Sequence, residues 1–214
     1  KILVDALNKI GAEISYTEMD GYPPIKINRK ISQIRESISI RGDISSQYIS
    51  SLLMIAPVLP NGLKIDVMPP FYSKPYVMMT LNLMKKFGIK YDLSEESISI
   101  NNQKYKSGSY QVESDWSAAS YWYSFISINK KLKEIKLKGL REHSFQGDQV
   151  IKKIMTLFNV ETLYDKDGII LRKKDFDCDY IELDFKDCPD LAQTLLVVAA
   201  FLYVKLKLYI VESL

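Results

Sequence analysis

The chain has 214 residues, 47% of them hydrophobic, so it can bury one large core or two smaller ones. Its 29 Lys and Arg against 26 Asp and Glu leave a formal charge of only +3, spread along the chain, which predicts no nucleic-acid partner. The two cysteines, Cys178 and Cys188, fit no metal spacing and are too few for a disulfide framework, so we expect a reducing compartment and no metal. The longest apolar stretch, residues 195–204, is about half the length that spans a bilayer. With no signal peptide at the start, these features predict a cytoplasmic protein that does not enter a membrane.

One structural pattern recurs along the chain at a spacing of roughly 70–77 residues. Three amphipathic helix patterns end at a residue that tolerates the left-handed conformation, and the ending residues are Gly11, Gly88 and Asn159. Alternating residues after each ending predict a hairpin. The predicted strand pairs are 13–16 with 25–27, 89–91 with 98–100, and 160–163 with 169–171.

The other half of the repeat is a helix that begins after an acidic residue and is followed by a strand. The three predicted starts are 43–46, 115–118 and 187–190. The helix faces predicted to be buried are Ile49-Leu52-Leu53-Ala56, Tyr121-Ser124-Phe125-Ile128 and Leu191-Thr194-Leu195-Val198, and the following strands include 64–67 and 134–137. The repeat is therefore strand-helix-strand-helix-hairpin. The chain is expected to hold the last half of one repeat, two full repeats and the first half of a fourth, with its natural start missing.

Such a repeat cannot bury both faces alone, so several must pack their helices around shared cores. The polar stretch 104–114 closes one repeat and is the predicted domain junction. The predicted domains are residues 1–113 and residues 114–214, each incomplete.

Two adjacent serines and a glutamine, Ser45, Ser46 and Gln47, fall at a predicted helix start, where backbone N–H groups lack partners. This arrangement suits an anion. A plain N-cap is the alternative for one of the serines.

A second helix start follows one strand later, at Ser73, Lys74, Pro75 and Tyr76. A cap plus a proline is again the alternative. Because both starts fall at equivalent turns of one repeat, we expect them to face the same end of it.

Three aspartates fall at turns: Asp115, Asp148 and Asp190. For Asp115 and Asp148 the pattern favours structural turns. Asp190 could cap a helix or accept a proton from a substrate hydroxyl. The aromatic run Tyr121-Trp122-Tyr123 with Phe125 is interpreted as core.

Several of these motifs resemble the 5-enolpyruvylshikimate-3-phosphate (EPSP) synthase family, in its order and at about its spacing. The matching segments are Gly21-Tyr22-Pro23-Pro24, residues 45–54, residues 73–77, residues 115–121, Gln146-Gly147-Asp148 and Pro189-Asp190. The resemblance implies an α/β (α+β) fold, the inside-out α/β barrel of the enolpyruvyl transferases built of βαβαββ repeats, here incomplete at both ends. It also implies two domains with substrates bound between them, residues 1–113 forming the shikimate-phosphate-binding domain.

The implied reaction moves the enolpyruvyl group of phosphoenolpyruvate to the 5-hydroxyl of shikimate 3-phosphate and releases phosphate, for aromatic amino-acid synthesis, with no metal or organic cofactor. By position, Ser45, Ser46 and Ser73 would hold the shikimate phosphate, Gln47 would contact the substrates and Tyr76 would line the shikimate pocket. Asp190 would orient or deprotonate the attacking hydroxyl.

The sequence departs from the family at Ser114, at Trp116 and in residues 203–207, where smaller residues are usual. Charged segments that bind phosphoenolpyruvate in the family have no counterpart here, so we expect these 214 residues alone to be inactive and to self-associate, and the parent to be monomeric. Two alternatives are a UDP-N-acetylglucosamine enolpyruvyl transferase-like enzyme, which needs a reactive loop cysteine, and a non-catalytic module that binds an anion or a partner protein.

Overall fold

The computed structural model describes residues 1–175 and 177–209. The chain divides into two compact units, Lys1–Gly108 and Ser109–Leu214, each with its own hydrophobic core. No helix in the described ranges has the length and apolarity needed to cross a bilayer.

The first unit holds a half repeat followed by one complete repeat. The half repeat consists of α1 (Ile2–Ile10) and an antiparallel hairpin of β1 (Glu13–Tyr16) and β2 (Ile25–Arg29). The complete repeat consists of β3 (Ser37–Arg41), α2 (Ser46–Ile55), β4 (Leu63–Met68), α3 (Lys74–Lys86), β5 (Asp92–Leu93) and β6 (Ser97–Ile100). Its sheet has the order β3-β4-β6-β5, in which β3 and β4 are parallel and the other pairs antiparallel. Both α2 and α3 therefore follow neighbouring parallel strands.

The second unit, over its described residues, again combines three α-helices with two sheets, but in a different order along the chain. Its elements are α4 (Trp116–Ile128), β7 (Glu134–Lys138), α5 (Ile151–Thr156), β8 (Val160–Asp165), β9 (Gly168–Lys173), β10 (Tyr180–Asp184), α6 (Ala192–Leu202) and β11 (Lys205–Tyr209). One sheet is antiparallel with the order β7-β9-β8, while β10 and β11 form a parallel pair.

The second full repeat lacks the opening strand that the sequence pattern predicted, because residues 101–115 contain no strand. Only Ser114 bonds to the segment that ends β7: its backbone N–H donates to the Gly139 carbonyl (3.0 Å) and its hydroxyl to the Lys138 carbonyl (2.9 Å). These contacts are too few to form a ladder, so the prediction of two complete repeats was wrong for this one.

The predicted helix endings are confirmed, since Gly11, Gly88 and Asn159 all have positive φ, at 122°, 85° and 52°. The predicted hairpin arm at 89–91 is wrong, because the strand lies at Asp92–Leu93. The Gln103 side chain takes both backbone hydrogen bonds of Lys90, at 2.8 Å each, and so replaces a strand partner there.

The buried face of α4 also differs from the prediction. Tyr121, Trp122 and Phe125 are 61%, 50% and 47% exposed, and from the aromatic run only Tyr123 is in the core. Small residues of α4 face α6, where the Ser120 and Thr194 hydroxyls are 3.2 Å apart. The fold therefore selects the small-residue face for helix packing, and Tyr123 is accommodated because its hydroxyl pairs with that of Thr162 at 2.6 Å.

Candidate functional site

The start of α2 carries two serine hydroxyls with little internal use. Ser45 is the N-cap, but its Oγ accepts from the Gln47 backbone N–H at 3.4 Å, a long bond. Ser46 is 9% exposed, and its hydroxyl makes no hydrogen bond to another described residue. Ser45 and Gln47 are exposed. This helix start therefore keeps donors available for an external group.

At the start of α3 no side chain caps the free backbone N–H groups. Ser73 is its N-cap with φ 56°, in the left-handed region, and makes no side-chain cap hydrogen bond. Lys74 follows it, with its ammonium 5.9 Å from the Phe71 ring centroid. The half-buried Tyr76 lies in the first turn and donates its backbone N–H to the Ser73 carbonyl at 3.1 Å. Neither α2 nor α3 has an acidic residue in its first turn.

The two helix starts lie next to each other because the loops that precede them are bonded together. The Gly42 N–H donates to the Met68 carbonyl at 2.8 Å, and the Tyr72 N–H donates to the Gly42 carbonyl at 3.0 Å. A Cβ at Gly42 would lie 2.7 Å from the Pro70 carbonyl oxygen, so this approach requires glycine. The turns that the sequence predicted at one end of the repeat thus share a backbone junction.

The charges beside this junction do not oppose an anion. Arg41 donates from Nε to the Asp43 carboxylate at 2.9 Å and holds the pKa of that carboxyl below its usual value. The nearby acid is therefore neutralised by its own arginine. Lys74 adds a positive charge at the start of α3. Together with the helix-start amides, these groups favour a negatively charged ligand.

The start of α4 has a different design, because a carboxylate of the chain itself satisfies it. Asp115 Oδ1 accepts from the Ser117 N–H at 2.8 Å, so Asp115 acts as a structural cap. Asp148 lies in the short 3₁₀ turn Gly147–Val150, where it is 1% exposed and accepts a hydrogen bond from the Ser117 hydroxyl.

Asp190 lies in the second unit, exposed, in the 3₁₀ turn Pro189–Leu191 that precedes α6. The residue before this turn, Cys188, is buried, and burial together with nearby carboxylates raises the pKa of its thiol to about 12. Cys188 is therefore protonated at neutral pH and a poor nucleophile. No cluster of His, Cys, Asp or Glu suited to a metal occurs within residues 1–175 and 177–209.

Three features of these sites were not predicted from the sequence. The junction at Gly42 carries a weak signal, a glycine three residues before a helix cap. The ion pair of Arg41 with Asp43 joins residues two positions apart, and this spacing of opposite charges was its only signal in the sequence. The burial of Asp148 had no local signal, because its partner Ser117 lies 31 residues away in sequence.

The βαβαββ repeat, in which two helices follow neighbouring parallel strands, gives this chain the α/β fold of the enolpyruvyl transferases. Solved structures agree on this fold. The enolpyruvyl transferase NikO from Streptomyces tendae superposes with a TM-score of 0.64 at 11% identity, over 97% of this chain and 51% of that chain. EPSP synthase from Acinetobacter baumannii superposes with a TM-score of 0.52 at 14% identity, over 99% and 66%.

The sequence model of EPSP synthase (3-phosphoshikimate 1-carboxyvinyltransferase) matches residues 1–213, and the chain belongs to that family. A 3-phosphoshikimate 1-carboxyvinyltransferase of Bacteroides fragilis is 41% identical over 215 residues, covering 100% of this chain and 52% of that protein. The one of Methanocaldococcus jannaschii is 36% identical over 210 residues, covering 97% and 48%. The chain thus spans about half the length of these relatives.

Proposed function

We propose that the protein containing this chain transfers the enolpyruvyl group of phosphoenolpyruvate to the 5-hydroxyl of shikimate 3-phosphate and releases phosphate, a step of aromatic amino-acid synthesis in the cytoplasm. Family membership and the names of its relatives support the proposal. The observation that carries it is the pair of α2 and α3 starts joined through Gly42, with serine hydroxyls that donate to no described residue.

In this proposal residues 1–113 form the domain that binds shikimate 3-phosphate. Ser45, Ser46 and Ser73 donate to its phosphate, Gln47 contacts the substrates, and Tyr76 lines the shikimate pocket. Hydroxyls and helix-start amides fix a phosphate by geometry, so they orient the hydroxyl that must meet the enol carbon. No side-chain rearrangement is needed to release these donors, because Ser46 and Ser73 have no side-chain partner among the described residues.

Residues 114–214 belong to the second domain, which supplies Asp190. This carboxylate is exposed in the first turn before α6, so it can reach a substrate hydroxyl. It would orient that hydroxyl or take its proton as the new bond to the enolpyruvyl carbon forms. The reaction needs no metal or organic cofactor in this scheme. The protonated, buried Cys188 is not suited to be the reactive cysteine that the alternative enzyme needs.

Calorimetry with shikimate 3-phosphate tests the phosphate site. The full-length protein is compared with its Ser45→Ala, Ser46→Ala double variant. Each hydrogen bond to a charged group contributes about 1.5–3 kcal/mol, so the double variant should bind at least roughly 100-fold more weakly. A matched control is Ser94→Ala with Ser97→Ala, since these two hydroxyls of the same unit pair with each other at 2.9 Å.

Equal affinity of the double variant and the parent would remove the phosphate assignment. Turnover is measured as phosphate release from both substrates, and it should fall in Asp190→Asn. Binding of shikimate 3-phosphate without any turnover by the full-length protein would indicate a non-catalytic anion-binding module instead.

A further inference from the structure

The second unit contains a carboxylate, that of Asp148, buried to 1% exposure. A carboxylate this buried is stable only when hydrogen bonds replace its water, because removing a charge from water is costly. The Ser117 hydroxyl provides one such bond. A surface turn would serve equally well with an exposed side chain, so the burial of Asp148 calls for a reason beyond turn formation.

The turn that carries Asp148 is bonded to the start of α4 at three points. Besides the Ser117 contact, Gln146 Oε1 accepts from the Trp116 N–H at 2.8 Å, and Gln146 Nε2 donates to the Ser114 carbonyl at 3.0 Å. The bonded residues are Ser114, which precedes α4, and Trp116 and Ser117, which lie in its first turn. Three hydrogen bonds therefore hold the turn against the helix start.

The turn that precedes α6 packs against α4, and Trp116 at the start of that helix shares one buried core with Cys188 and Leu191. Among the charges that raise the pKa of the Cys188 thiol, Asp148 acts most strongly, ahead of Asp187, the sequence neighbour of that cysteine. Cys188 in turn anchors the following turn, because its carbonyl accepts from the Leu191 N–H at 3.2 Å. Asp190 lies between these two residues.

A second bridge reinforces this connection one turn further along the helices. The hydroxyls of Ser120 on α4 and Thr194 on α6 are 3.2 Å apart, and both residues are buried. The starts of α4 and α6 are thus tied together by polar contacts inside a hydrophobic core that includes Trp116, Cys188 and Leu191.

We propose that Asp148 is a positioning residue that fixes the 188–191 turn against the start of α4 and so sets where the Asp190 carboxylate is presented. The inference rests on the proposed function, in which Asp190 acts on the substrate hydroxyl. A displacement of about 1 Å in a reacting group can lower the rate on the order of 100-fold, while substrate binding by other residues is unaffected. Loss of the Asp148 side chain should therefore lower kcat and leave KM unchanged, because it acts only by displacing Asp190.

The test is a double-mutant cycle in the full-length protein, with phosphate release as the assay. Asp148→Ala should lower kcat on the order of 100-fold with KM for both substrates unchanged within about 2-fold. Asp148→Asn keeps an acceptor for Ser117 and should recover most of the rate. Asp190→Asn should lower kcat, and Asp148→Ala added to it should cause no further loss, because the two residues act as a unit.

A matched control is Asp165→Ala, which removes another structural carboxylate of the same unit, one that accepts from the Asp167 and Gly168 N–H groups. It should leave kcat unchanged. If Asp148→Ala does not fold, Ser117→Ala, which removes the hydroxyl bonded to Asp148, replaces it in the cycle and should lower kcat with KM unchanged.

The outcomes separate the two proposals. Independent, multiplicative losses in the cycle, or a loss from Asp148→Ala that appears in KM, would overturn the positioning role while leaving the transferase function intact. An Asp190→Asn variant as fast as the parent would overturn the role of Asp190 and the inference with it. Absence of turnover in the unmodified full-length protein would overturn the proposed function itself.

Discussion

Replacement of Ser73 by glycine should move stability and substrate binding in opposite directions. Ser73 has φ 56° and no side-chain cap hydrogen bond, so removing its hydroxyl takes no capping bond from the folded chain. A non-glycine residue in the left-handed region costs about 1–2 kcal/mol. Glycine removes this cost, but its greater conformational entropy stabilises the unfolded chain by about 0.4–1 kcal/mol. The net gain of Ser73→Gly over Ser73→Ala is therefore between about 0 and 1.6 kcal/mol.

Affinity should change in the other direction. The Ser73 hydroxyl is proposed to donate to the substrate phosphate, a bond to a charged group that contributes about 1.5–3 kcal/mol. Ser73→Gly and Ser73→Ala should therefore both bind shikimate 3-phosphate about 10- to 150-fold more weakly. Urea unfolding of the two variants and calorimetry with the substrate measure the two effects separately.

Two results would refute this reasoning in different places. A glycine variant that binds as tightly as the parent would show that the hydroxyl does not contact the phosphate. A glycine variant less stable than the alanine variant would show that the left-handed conformation at residue 73 is not the source of strain. Ser50→Ala is a suitable control, because that hydroxyl contacts Thr80 between α2 and α3 at 3.2 Å.

Three further predictions concern the rest of the chain. Gly42→Ala should destabilise the protein by about 1–3 kcal/mol and weaken phosphate binding, because its Cβ would meet the Pro70 carbonyl, whereas Gly108→Ala, with the nearest atom 3.8 Å away, should do neither in urea unfolding. Hydrogen bonding from Lys136 lowers the pKa of Asp165 below 3.8, so its stabilisation is complete above that pH and is lost as the pH falls. Asp165→Asn should then lose less stability than the parent between pH 5 and pH 2, and parallel unfolding curves for the two would contradict this. Residues 1–214 expressed alone should self-associate through the exposed apolar face of α6, and Phe201→Glu should shift the mass measured by light scattering toward the monomer; an unchanged mass would contradict the assignment to α6.

The sequence predicted the parts of the fold that local conformation decides. Gly11, Gly88 and Asn159 end helices because few residues adopt positive φ, and that requirement is visible one residue at a time. The face of α4 was mispredicted because four aromatic residues within five positions place apolar groups on several sides of the helix. The choice among those sides depends on Thr194 and Thr162, which lie far along the chain.

The candidate site divides in the same way. The helix starts at Ser45 and Ser73 could be predicted, because caps and prolines have a fixed position relative to a helix. The sequence predicted that both helix starts face the same end of one repeat, but it did not predict the backbone hydrogen bonds at Gly42 that join them. The burial of Asp148 could not be predicted, since aspartate in a polar turn is ordinarily exposed and its Ser117 contact depends on the tertiary fold.

The backbone junction at Gly42 also bears on how such a protein could escape an inhibitor. The amides at the α2 and α3 starts belong to the main chain, so no side-chain replacement other than one by proline can delete them. Changing their position would require moving loops that are bonded to each other at 2.8 Å and 3.0 Å, with no room for a Cβ between them. An inhibitor that presents a phosphate-like group to these amides would leave resistance mutations few routes that preserve folding.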